Sequence, residues 1–107
     1  MSGAILLPST VAPGALGVIT LDFSDNLAAG ESLTGISSSA VKLTVGLDAT
    51  PAALITSAPV VSSNGYQVSF GVTGRSDQAD YEVTIVCATS NSLKSLPMAV
   101  TIQVRAL

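Results

Sequence analysis

Apolar and polar residues alternate with a period of two along most of the chain, and nowhere does an apolar pattern of 3.6-residue period extend over three turns. That periodicity predicts half-buried strands and almost no helix. The clearest run is residues 16–23, which places Ile19, Leu21 and Phe23 on one face and Val18, Thr20 and Asp22 on the other, before the turn-forming Ser24, Asp25 and Asn26. A weaker strand is expected over 31–37, where Leu33 and Ile36 fall on opposite faces unless Gly35 marks a bulge. A separate third strand over 40–47 would turn Val41, Leu43, Val45 and Leu47 inward and Lys42 and Thr44 outward.

Residues 53–61 are apolar without a clear phase and read as an edge strand or one that switches sheets. Asn64-Gly65 then gives the strongest short hairpin signal, because both residues tolerate positive φ. The strand closing that hairpin would send Tyr66, Val68, Phe70 and Val72 inward. Two further strands follow, with Tyr81, Val83, Ile85 and Cys87 inward in one and Met98, Val100, Ile102 and Val104 inward in the other. Val86 breaks the alternation on the outer face. About seven antiparallel strands, with turn signals every 8–12 residues, describe an all-β immunoglobulin-like sandwich without the cysteines and tryptophan of antibody domains.

The first fifteen residues, MSGAILLPSTVAPGA, stand apart: they hold two prolines, two glycines and no charge. Proline fixes φ and removes a donor, so this stretch is expected to run extended, outside any central strand. The organisation read from the chain is therefore an N-terminal arm over 1–15 and one sandwich domain over 16–107, the length of a single core. Ile5, Leu6 and Leu7 are the apolar anchors of the arm and its candidate protein-interface residues. Pro8 ends that run, which is too short for a signal peptide's apolar region or a membrane helix. The expectation is a soluble chain with no membrane partner.

Charge sharpens the picture. Only 10 % of residues are charged, against about 25 % in an ordinary soluble domain, and a charge-poor surface resists association less than a charged one. Permanent contacts within an assembly, including a homo-oligomer, are the reading. Lys42, Arg75, Lys94 and Arg105 are scattered and form no patch that would neutralise phosphates, so no nucleic-acid partner is expected.

Candidate chemistry is sparse. With no histidine, the commonest general base and transition-metal ligand are both missing. The seven carboxylates, Asp22, Asp25, Glu31, Asp48, Asp77, Asp80 and Glu82, lie in no motif that fixes a catalytic pair. A calcium site around Asp22 and Asp25 fits no known loop spacing, and an Asx-capped turn is the simpler reading. Phe23, Tyr66, Phe70 and Tyr81 all fall at inward positions, which leaves no sugar-stacking platform. Tyr81, near the start of its strand, is placed to tie its hydroxyl to nearby backbone, as a corner tyrosine does. Cys87 is alone and reads as a buried small hydrophobe. No enzyme and no cofactor are expected.

Three pieces carry a resemblance: Leu21-Asp22-Phe23-Ser24-Asp25-Asn26-Leu27-Ala28-Ala29-Gly30-Glu31-Ser32-Leu33, a strand and turn ending in L-A-x-G-E/D-x-L; Asp80-Tyr81-Glu82-Val83-Thr84-Ile85-Val86, similar to D-Y-x-V-T-x-x-V; and Thr101-Ile102-Gln103-Val104-Arg105. With them the chain from Ile19 to Val104 resembles the small immunoglobulin-like virion proteins of tailed bacteriophages, in particular the phage fibre-tail adaptors. It departs from that pattern in having no tryptophan near Val41 to Val45, and in the longer stretch from Ser90 to Pro97. The resemblance implies a non-enzymatic virion structural protein, made in the host cytoplasm, that links a fibre or tail component to the particle. Its partners would be other virion proteins of the tail, fibre, neck or capsid. A capsid decoration protein of the head and a ligand-binding adhesion module are the alternatives.

Overall fold

The computed structural model describes residues 9–106; the anchors Ile5, Leu6 and Leu7 lie outside them. Seven strands are described: β1 (Ser9–Val11), β2 (Leu16–Asp22), β3 (Leu33–Val45), β4 (Ile55–Val61), β5 (Gln67–Thr73), β6 (Asp80–Thr89) and β7 (Ser95–Val104). Among the described residues helix is confined to two 3-10 turns, Ser24–Asn26 and Pro51–Leu54. The strands form two sheets, one ordered β1-β7-β6-β3 and the other β2-β5-β4. Every pairing is antiparallel except that of β1 with β7, which is parallel.

The alternation seen in the sequence is what lets two sheets share one core. Four of the strands bury alternate side chains: Ile19 and Leu21 from β2, Val68, Phe70 and Val72 from β5, Tyr81, Val83, Ile85 and Cys87 from β6, and Met98, Val100, Ile102 and Val104 from β7. Phe23 and Leu54, just outside their strands, plug the interior as well. At about 1.5–3 kcal/mol for each large apolar side chain fully buried, this cluster is the main force holding the sheets together.

Three expectations are corrected. The strands anticipated over 31–37 and 40–47 are one continuous strand, β3, because register shifts between Leu33 and Gly35 and between Ile36 and Ser38 absorb the phase change that looked like a break. The shift at Gly35 is the bulge that the opposed phases of Leu33 and Ile36 required. Val45 and Leu47 are exposed, because β3 runs out beside the last paired residue of β6, Asp80, after a further shift between Leu43 and Val45. Tyr66 is also exposed. It belongs to the loop between β4 and β5, and the inward phase begins only at Val68.

That loop spans 62–66, so Asn64-Gly65 does mark a hairpin, though not a two-residue one. Only Gly65 takes positive φ, at 78°. Its carbonyl accepts the Leu33 N–H at 2.7 Å, and a side chain there would strike the Ser32 Cβ. The hairpin tip is thereby pinned to the start of β3.

Ser9–Val11, within the segment expected to be an arm, lies on the edge of the larger sheet: Ser9 pairs with Ile102, Thr10 with Gln103 and Val11 with Val104. Val11 is buried and touches the space over Gly17 of β2. The chain then crosses to the other sheet through a turn in which the Gly14 N–H donates to the Gly74 carbonyl at 2.8 Å.

Candidate functional site

Three places on the described surface combine polar or exposed groups in a way that local packing alone does not explain. At one end of the sandwich, the Asp48 carboxylate lies in the link between β3 and β4. It accepts from Arg75 Nε at 2.7 Å, Tyr81 Oη at 2.7 Å and the Thr50 N–H at 2.9 Å. Arg75 Nη2 also reaches Thr50 Oγ1 at 2.8 Å. The side chain of Asp48 is only 3 % exposed. The guanidinium of Arg75, then the Tyr81 hydroxyl and the Thr50 amide, hold this carboxyl well below the usual carboxylate range. Burial, and then the hydrogen bond to Asp48, push the Tyr81 phenol up.

Tyr81 also accepts a long contact from the Ser76 N–H at 3.5 Å, the backbone tie expected of a corner tyrosine. Its stronger partner is Asp48, thirty-three positions away in sequence. The Asp48 oxygens are taken up by Arg75, Tyr81 and Thr50, and the group joins three segments of chain, with Arg75 and Thr50 on its exposed side. It is a clasp.

At the opposite end, Lys94 Nζ reaches Glu31 Oε1 at 2.6 Å, and Glu31 also accepts the Ala28 N–H at 2.8 Å. Thr89 Oγ1, buried, contacts the carbonyls of Asn91 and Lys94 and accepts the Asn91 N–H. These bonds shape the loop between β6 and β7, which borders a shallow depression of about 260 Å³ beside Ser37 and Ala88. Asp22 accepts the Ser24 N–H at 2.8 Å, so its carboxylate caps the turn it precedes. Among the described residues no three Asp, Glu, Cys or His side chains gather as ligands would. Cys87 faces the core, where burial pushes its thiol up to about 11.

The third place is the outer face of β2, β5 and β4. Register puts Leu16 beside Thr73, Val18 beside Gly71 and Ser57, Thr20 beside Ser69 and Val60, and Asp22 beside Gln67. Leu16 is 81 % exposed, Val18 75 % and Val60 61 %. Because Gly71 has no side chain, the middle row sinks into a depression of about 200 Å³ flanked by Val18 and Val60. Asp22, at one end, is the only charged residue in these three strands. The larger sheet differs: its outer face carries the cross-strand pair Lys42 and Glu82, and Arg105 Nη2 meets Asp80 Oδ1 at 2.7 Å.

The outward phase of Val18 is legible in the sequence, and it points to this face. Val60 is not, because two register shifts in β4 hide its phase. No helix among the described residues is long and apolar enough to cross a membrane. Comparison with known proteins finds no matching family, no matching curated protein and no matching solved structure.

Proposed function

We propose that this protein is a non-enzymatic virion structural protein, an immunoglobulin-like sandwich that links a fibre or tail component to a phage particle through its charge-poor surface. The observation that carries the reading is the outer face of β2, β5 and β4, where Leu16, Val18 and Val60 stand in solvent with no charge around them except Asp22. A face of three strands and seven residues measures roughly 14 by 24 Å. That is about 340 Å² in projection, well below the roughly 800 Å² per partner of a stable isolated pair. Such a face serves as one contact among several around a subunit held by many neighbours.

The resemblance of the segments from Leu21 to Leu33, Asp80 to Val86 and Thr101 to Arg105 to phage fibre-tail adaptors supports the tail location. The parallel edge strand β1 on β7, followed in the same sheet by β6 and then β3, agrees with an immunoglobulin-like arrangement. Homo-oligomeric contacts through the neutral face fit the same reading.

Immunogold labelling of purified particles with antibody against this chain tests it. Gold at the tail or fibre junction is the expected result. Gold over the head would replace the adaptor reading with capsid decoration, and particles free of label would end both.

A further inference from the structure

The hairpin tip between β4 and β5 sets a backbone amide beside a polarised side-chain amide. Asn64 is exposed and is followed by Gly65. Its Oδ1 accepts the Tyr66 N–H at 2.9 Å and the Ser62 hydroxyl. Because a backbone N–H can only donate, the Tyr66 contact fixes which atom of the side-chain amide is the oxygen. Ser62 Oγ in turn accepts the Gln67 N–H at 3.3 Å, which leaves its own proton for Asn64 and polarises it. Two donors thus converge on the oxygen that gains negative charge when a nucleophile adds to Asn64 Cγ.

The nucleophile held beside Cγ by the chain itself is the Gly65 backbone nitrogen, whose attack closes a cyclic imide. Gly65 carries no Cβ to crowd that ring, and its φ of 78° lies where L side chains are disfavoured. One contact opposes the attack: the Gly65 N–H donates to the Ser62 carbonyl at 3.0 Å and has to leave it. That is a single neutral bond at an exposed tip, where water replaces it. The two bonds to Oδ1 strengthen as charge builds there, so the balance favours reaction.

Asn26 and Asn91 lack this combination. Asn26 precedes Leu27, whose N–H is bonded to the Ser24 carbonyl and whose side chain packs against the core. Asn91 precedes Ser92; its Oδ1 accepts the Leu93 N–H at 3.1 Å and its Nδ2 is directed at Glu31.

We propose that Asn64 is a self-modifying site, which the hairpin tip carries to a succinimide and then to isoaspartate without an enzyme. The Gly65 N–H gives its proton to solvent hydroxide, and the nitrogen forms a bond to Asn64 Cγ. The Cγ–Nδ2 bond then breaks, and Nδ2 takes a proton from water and leaves as ammonia. Water opens the imide at either carbonyl, giving aspartate or isoaspartate at position 64, so that water is consumed and ammonia released. Isoaspartate adds a carbon to the main chain at the tip. There Gly65 already lies against Ser32, its carbonyl accepts the Leu33 N–H at 2.7 Å, and the Tyr66 carbonyl accepts the Phe23 N–H at 2.8 Å. A longer, negatively charged tip does not keep those bonds, and the modification unpins the hairpin from the end of β2 and the start of β3. The inference does not rest on the virion reading.

Ageing of the full chain at mildly alkaline pH, read by peptide mass spectrometry and by isoaspartate methyltransferase labelling, is the test. The expected result is conversion at position 64 ahead of Asn26 and Asn91. Ser62→Ala should slow it about three- to tenfold, and Ser62→Thr, which keeps a hydroxyl, should restore it. In urea, where the donors are dispersed, Ser62→Ala and the parent should react alike. Asn64 staying intact in native buffer while the urea-unfolded chain reacts would overturn the proposal, as would a folded Ser62→Ala reacting as fast as the parent. The structural consequence is read on the aged form after ion exchange. Its Leu33 amide should exchange about tenfold or more faster than in fresh protein, with Val83 of β6 unchanged as the reference. An unchanged Leu33 would refute the unpinning.

Discussion

The Tyr81 hydroxyl donates to Asp48 Oδ2 at 2.7 Å and thereby fastens the start of β6 to the link between β3 and β4. Arg75, from the loop after β5, grips the same oxygen. Two connections that would otherwise leave the end of the sandwich as independent loops are drawn, with the start of β6, to one carboxylate, which lowers the freedom each retains in the folded state.

Removing the hydroxyl should loosen that clasp without disturbing the core. Tyr81→Phe keeps the ring in place and deprives Asp48 of one donor, so the melting temperature is expected to fall by about 5 °C. Asp48→Asn should fall further, because Arg75 then loses its ion pair as well. Thermal melts of both variants and of the double variant check this, and the double should fall by less than the sum of the singles.

The clasp also sets the acid limb of stability. The carboxyls of Asp48, Glu31 and Asp22 are all held below their ordinary range, by Arg75, Lys94 and the Ser24 amide respectively. A group whose folded pKa is depressed contributes stability that is present above its unfolded pKa and lost as pH falls through the folded value. Urea midpoints should therefore hold from neutral pH down to about 4 and decline below it. Asp48→Asn should flatten part of that decline.

At high pH the sign reverses. The Cys87 thiol is pushed up to about 11 and the Tyr81 phenol is raised too, so the unfolded chain releases these protons first. Stability is expected to fall from about pH 9 upward. Cys87→Ala should remove the first part of that fall, at a cavity cost that is the same at every pH. At neutral pH a thiol reagent should label Cys87 only as fast as the protein unfolds.

Gly74 is buried where the chain crosses between sheets, and a Cβ on it would collide with the Ala12 carbonyl oxygen. Gly74→Ala should push residues 12–13 away and strain the docking of β1, at a cost of roughly 1–3 kcal/mol read from urea denaturation. Faster exchange of the Gln103 and Arg105 amides, which face β1, should accompany it.

Charge placed on the neutral face should act on assembly and not on folding. Val18→Glu and Val60→Glu are at exposed positions, so each should change stability by less than about 0.5 kcal/mol. Incorporation of the double variant into particles, or its self-association at high concentration, should drop by an order of magnitude or more. Unchanged assembly would remove this face from the contact.

The residues of β2, β5, β6 and β7 show why much of the fold was legible. Ile19, Leu21, Val68, Phe70, Val83, Ile85, Val100 and Ile102 lie on unbroken two-residue phases, and a strand buried on one face has no other way to arrange them. Where a bulge intervenes the phase is lost. Leu33 and Ile36 in β3, and Val60 in β4, could not be assigned a side without the partner strand against which the extra residue is counted.

By itself, then, the sequence determined the strand class, the identity of most core side chains, the turn at Asn64-Gly65 and the shortage of charge. These depend on local periodicity and composition, which are written residue by residue. The tertiary structure alone decided that β3 is one strand, that Tyr66 and Leu47 meet solvent, that Asp48 finds Tyr81, and that Leu16, Val18 and Val60 share an uncharged face. Each of those rests on which strands become neighbours, and pairing is a long-range choice made by burial over the whole sandwich.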